Sequence, residues 1–161
     1  FTIVAPIDFA NLPQFFDALS LMYRVTTRLA AANRTDDELA AIWELQHSYT
    51  QAVDVKDVPA MIEVNRNFHA AIAQAGKNRY YTDLFIRLLD EGRRLLRLYY
   101  SSYNDELPKI YLQEHEVMLA AIEAQDIEAA DRIAQAHAEQ IVRQIQNAMT
   151  EDRRLNAGIS L

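Results

Sequence analysis

The chain has 161 residues, 50% of them apolar and 24% charged, the composition of a single soluble globular domain long enough to bury its own core. It contains no cysteine, which excludes disulfides and thiolate metal sites and suits a reducing, cytoplasmic setting. A formal charge of −7 argues against a phosphate-binding surface on this segment, and no apolar run approaches the ~20 residues that cross a bilayer.

The opening residues Phe1-Thr2-Ile3-Val4-Ala5-Pro6 lack an initiator Met and a basic leader, and read as the edge of a longer protein. Beyond them, apolar residues recur three and four apart, the spacing of amphipathic helices. A first helix is predicted over 11–32, with Phe15, Leu19, Met22, Val25, Thr26 and Leu29 on one stripe. Asn33-Arg34-Thr35 interrupts it, and Thr35 followed by Glu38 forms a capping-box pattern that opens a second helix through about 53. Asp57-Val58-Pro59 starts a third, which runs to about 75 and stops at Gly76-Lys77-Asn78. A fourth, longer helix is predicted over 79–103, closed by Asn104-Asp105-Glu106-Leu107-Pro108. The fifth covers about 108–124, and after the short Gln125-Asp126 turn a sixth extends over 126–149, leaving 151–161 as a C-terminal tail. No stretch alternates with period two for long enough to make a strand. Short connections favour antiparallel neighbours, so the expected fold is all-α, an antiparallel bundle of about six to seven helices over 12–150.

Only four histidines are present, so each position carries weight. Asn65 and His69 lie four apart in the third helix, one turn apart on one face, and can converge on one ion. His115 shares its face with Leu112, Leu119 and Ile122, and His137 with Ala130, Ile133, Ala134 and Ile141, so both point inward. Each lies about three turns from the Gln125-Asp126 turn, which brings the two level in an antiparallel pair. A lone inward histidine is more often a hydrogen-bonded core residue than a ligand. Three of them on three helices, with an amide one turn from the first, are more economically explained by a shared divalent cation. Imidazole nitrogens with one oxygen suit zinc, or nickel, better than calcium or magnesium. Asn65 would coordinate through its carbonyl oxygen and bring no charge, so an anion such as a carboxylate is drawn to any open position. His47 belongs to none of these faces and reads as a surface or packing residue.

These residues resemble a known family. Asn65-Arg66-Asn67-Phe68-His69 followed by Ala75-Gly76-Lys77-Asn78, and His115-Glu116-Val117-Met118-Leu119-Ala120-Ala121-Ile122 with Asp126, Ala129, Ala130 and His137, look like the two main blocks of the FadR C-terminal domain (FCD) family. Leu29-Ala30-Ala31 with Thr35-Asp36-Asp37-Glu38-Leu39 resembles its first helix end and second helix start. Those domains are the effector-sensing halves of GntR-type bacterial transcription regulators. The resemblance implies an internal metal held by Asn65, His69, His115 and His137, a small organic-acid effector beside it, and a homodimer. It also implies a winged helix-turn-helix ahead of this segment that binds operator DNA, with residues 1–11 a linker remnant. The family more often carries Asp at the position of Asn65. Its first helix often carries Arg and Glu where this chain has Leu19, Ser20 and Tyr23.

A carboxylate effector calls for donors besides the metal, and Arg suits it best. On the fourth helix Arg93 and Arg97 lie at the edge of the buried face and are the candidate effector contacts, with Tyr99 as a hydroxyl donor. Arg87 and Arg94 fall on the solvated face with Asp83 and Asp90. A metalloenzyme and a purely structural dimerisation module are the other readings. The first needs a general base, and Glu114 and Glu116, which flank His115, are expected to point elsewhere.

Overall fold

Local caps set the frame of the molecule. The computed structural model describes residues 9–158, with side chains described over 10–151. A 3-10 turn, Phe9–Asn11, leads into α1 (Leu12–Asn33); after it come α2 (Asp36–Asp54), α3 (Val58–Ala75), α4 (Arg79–Glu91), α5 (Arg93–Ser101), α6 (Lys109–Glu123) and α7 (Ile127–Gly158). No strand occurs among the described residues. The Thr35 capping box forms in full: its hydroxyl accepts from the Glu38 amide at 3.2 Å and the Glu38 carboxylate accepts from the Thr35 amide at 2.9 Å. Asp57 caps α3 through the Ala60 amide, and Asn78 caps α4 through the Tyr80 and Tyr81 amides.

Two boundaries and one cap geometry differ from the sequence expectation. The helix expected over 79–103 divides into α4 and α5 at Gly92, whose φ of −80° and ψ of −2° flatten one turn. Hydrogen bonds from Gly92 N to Leu88 O and from Leu96 N to Gly92 O carry the helical ladder across it, so the division is a bend. A Cβ there would stand 3.2 Å from Leu88 O and 3.3 Å from the tip of the Phe15 ring, so the ring from α1 packs closely over the glycine. Gly76 ends α3, but in right-handed geometry; Lys77, at φ 65°, takes the left-handed position. The third difference is at the C-terminus, where α7 continues past 149 to Gly158 and takes in most of the segment read as a tail. Residues 1–8 of the expected linker lie outside the described residues.

What Gly76 supplies is space. A Cβ on it would fall 2.8 Å from Leu29 Cβ, an atom fixed to the α1 backbone. Gly76→Ala is therefore expected to cost about 2 kcal/mol through overpacking, which for a domain of this size lowers the thermal midpoint by roughly 6 °C. Calorimetric unfolding checks this; an unchanged midpoint contradicts the close approach.

The helices enclose three apolar clusters. One joins Leu12 and Phe16 of α1 to Tyr49, Met61, Leu96 and Ile141. A second joins Ala30, Ile42, Phe68, Met118, Ile122 and Ala134 from five helices. The third holds Tyr23 and Phe85 between α1 and α4, with Ala73 and Ala138. α3 touches α1, α2, α4 and α5, and α6 touches α1, α2 and α7, so side chains on the inner faces of α3, α6 and α7 meet at the centre.

Candidate metal centre

Four polar side chains that burial alone would disfavour occupy that centre. Asn65, His69, His115 and His137 are each at most 5% exposed. Asn65 and His69 stand one turn apart on α3; α6 supplies His115 and α7 supplies His137. The imidazole centroids form a near-equilateral triangle, 5.0 Å from His69 to His115, 5.1 Å from His115 to His137 and 5.4 Å from His69 to His137. One nitrogen from each ring can be chosen so that all lie within 4.8 Å of one another, close enough to share an ion.

The ring orientations are set by their outer partners. Gln46 on α2 gives its Nε2 to the Leu112 carbonyl at 3.4 Å, and a carbonyl can only accept. Its Oε1 therefore faces His115 Nδ1, 2.9 Å away, and that nitrogen carries the proton. His137 Nδ1 meets Glu114 Oε2 at 2.6 Å, a carboxylate–histidine pair that fixes its proton in the same way. With Nδ1 engaged in this way, the neutral form of each ring presents Nε2 as its lone-pair nitrogen, the form a metal requires. Phe68 stacks on the His115 face at 4.3 Å and 10°, with Tyr49 beside it at 4.9 Å. Tyr23 presents its ring edge-on to His69 at 4.8 Å and to His137 at 5.6 Å.

Among the described residues, three buried side-chain atoms have no hydrogen-bond partner: His69 Nε2, His137 Nε2 and Asn65 Nδ2. Each such atom costs of order 1–3 kcal/mol when left unpaired. A divalent cation would satisfy both imidazole nitrogens, and half a turn of the Asn65 amide would offer its carbonyl oxygen in place of the amine. The donor set therefore fits a first-row divalent ion.

Burial, and then the neighbouring imidazoles, hold His69 and His115 well below the ordinary histidine range. In the unfolded chain both titrate near roughly 6.5, so above that pH both states carry neutral rings and stability is unaffected. As pH falls below it the unfolded chain takes up protons that the folded one refuses, and stability is lost. Metal-free protein is thus expected to melt progressively lower between pH 7 and pH 5. Melting in chelator across that range measures it, and a flat midpoint would contradict burial of neutral rings.

His47 is exposed, as expected. The other expected contacts are dispersed. Arg93 is on the surface, paired with Glu63 at 2.8 Å and with Asp90 at 3.5 Å. Arg97 is exposed along an open groove of about 320 Å³ shared with Leu98, Ser101 and Asp105. Tyr99 is buried between α5 and α7, where its hydroxyl donates to Gln140 Oε1 at 3.1 Å. Glu114 does not point away, as expected beside His115; it turns to His137. A signal for this was present, because Glu114 and His137 are each eleven residues from the Gln125-Asp126 turn and so stand level across the α6–α7 hairpin. Gln46, Tyr23 and Tyr49 come from α1 and α2 and have no such local signal.

Among the described residues, His69, His115 and His137 form a buried group that could hold a metal ion. The FCD domain model matches residues 14–140, and this chain belongs to that family, the effector-binding regulatory domain of GntR-type regulators. Among solved structures, E. coli McbR/YncC is similar in fold: TM-score 0.79, with 21% sequence identity over 88% of this chain and 71% of that one. No curated protein matches. No described helix is long and apolar enough to cross a membrane.

Proposed function

We propose that this domain holds a divalent transition metal, zinc first and nickel second, through Asn65, His69, His115 and His137, and senses a small organic acid beside it. The observation that carries the reading is the pair of buried, partnerless Nε2 atoms on His69 and His137 within one triangle of imidazoles. A bound ion would supply positive charge and an open coordination position for an oxygen ligand. The chain's own residues do the rest. Gln46 and Glu114 fix two tautomers, Phe68 and Tyr49 hold the His115 ring plane, and burial keeps competing water out.

The role is sensing rather than catalysis. The carboxylate in contact with the cluster, Glu114, already accepts from His137, so it is engaged in orienting a ligand and not poised as a general base. Residues 12–150 form the sensing bundle and 1–11 a linker from a winged helix-turn-helix that binds operator DNA, in a cytoplasmic homodimer. Effector binding would bias the bundle between two arrangements and so reorient the DNA-binding modules. Of the expected effector contacts we retain Tyr99; Arg93 and Arg97 would require a ligand at the surface.

Elemental analysis of protein purified without chelator, with calorimetry against a panel of organic acids, tests this. About one metal per chain is expected, with at least one acid binding only to the loaded form. Metal-free protein, or metal retained in full by His69→Ala together with silence across the panel, would overturn it.

A further inference from the structure

An ion bound at a closed centre has to cross the protein wall to reach it, and the wall here is uneven. Asn65, His69 and His115 are at most 2% exposed, and His137 is 5% exposed. The side chains packed on the imidazoles are as closed in: Gln46, Tyr23, Tyr49, Phe68 and Phe85 are each at most 3% exposed. Glu114 differs. Its side chain is 25% exposed, yet one carboxylate oxygen accepts from His137 Nδ1 at 2.6 Å. Among the described residues it is the side chain that both touches the histidine centre and reaches solvent.

The parts of the wall also differ in how firmly they are held. Moving Gln46 breaks two buried hydrogen bonds, to His115 and to the Leu112 carbonyl, and moving Tyr49 breaks its bond to the Tyr100 hydroxyl. No water is at hand in the interior to replace them. Moving Phe68 or Tyr23 opens a void in a packed core cluster. The side-chain hydrogen bond that Glu114 makes within the described residues is to His137, at the edge of solvent, where water replaces it when the side chain swings away.

Resting on the metal reading above, we infer that Glu114 is the gate of the centre: its side chain swings off His137 to admit or release the ion, and closes again behind it. The bond that orients His137 while the gate is shut thereby sets the rate at which metal exchanges. Gating and orienting leave different kinetic marks. An opening step that precedes entry slows uptake and release together, whereas a contact that only orients a ligand slows release alone.

Stopped-flow mixing of chelator-stripped protein with zinc measures uptake, and mixing of zinc-loaded protein with excess chelator measures release. Glu114→Ala clears the mouth at a partly exposed position, and is expected to speed both uptake and release roughly tenfold or more over the parent. Glu116→Ala, at an exposed position two residues on, removes the same charge from the same helix and is expected to exchange zinc at the parent's rates. Protein that takes up no zinc overturns the metal reading and this inference with it. A Glu114→Ala variant that releases zinc faster but loads it at the parent's rate has lost a purely orienting contact, which overturns the gate alone. So do exchange rates unchanged in Glu114→Ala, or raised as much in Glu116→Ala.

Discussion

Stripping the metal with a strong chelator is expected to lower the thermal midpoint by roughly 10 °C. A ligand that binds only the folded state stabilises it by about 2.7 kcal/mol at a free concentration 100 times its Kd, and by about 4.1 kcal/mol at 1,000 times. In a domain of this length each kcal/mol moves the midpoint by roughly 2–4 °C. The proposed ligands come from α3, α6 and α7, which are far apart in sequence, so the unfolded chain cannot present them together and the one-state assumption is sound. His69→Ala removes the imidazole that faces both others and should leave a protein whose midpoint no longer responds to chelator. Scanning calorimetry of both proteins, with and without chelator, decides the matter. A parent midpoint indifferent to chelator would sink the metal assignment, whatever the variant does.

The order of the two proteins in that experiment carries further information. In the metal-free parent, His69 Nε2 is a buried nitrogen with no partner, and His69→Ala deletes it along with its desolvation cost. It also opens a cavity where an imidazole packed against Tyr23 and Phe68. These two effects oppose each other, so the variant should melt close to the chelated parent and well below the loaded one.

The parts of this centre that could be read from sequence are those whose placement is local. Asn65 and His69 share a face because four residues make about one helical turn, and His115 and His137 come level because a two-residue turn pins the α6–α7 hairpin. Thr35 and Glu38 announced the start of α2 for the same reason, and both bonds of the box are present. The outer shell is another matter. Gln46 reaches His115 across 69 residues, and Tyr23 meets His69 from α1, contacts set by helix packing that no single-helix pattern encodes. Arg93, expected at the edge of the buried face, is on the surface with its guanidinium turned to Glu63. The buried face read for a continuous helix holds beyond Gly92, where Leu96, Tyr99 and Tyr100 are all buried.

Phe68→Ala should have a large effect while leaving the proposed ligands intact. Phe68 is fully buried in the cluster that joins Ile42, Met118, Ile122 and Ala134, and truncating such a ring costs about 3–5 kcal/mol, or roughly 10–15 °C in midpoint. Its second consequence separates it from an ordinary core cavity. Phe68 lies parallel to His115 at 4.3 Å and edge-on to His69 at 5.0 Å, so it fixes the plane of one ring and the position of another. Without it, Gln46 and Tyr49 alone restrain His115, and loss of an orienting contact typically lowers metal affinity roughly 10- to 100-fold. Phe68→Leu keeps most of the volume but not the flat face. It should therefore recover a large part of the stability and little of the affinity. Chelator competition on both variants, beside their melting curves, measures the two effects independently. If Phe68→Ala melts early yet competes for zinc as well as the parent, the His115 ring is held by its hydrogen bond to Gln46 and the aromatic face serves only as packing.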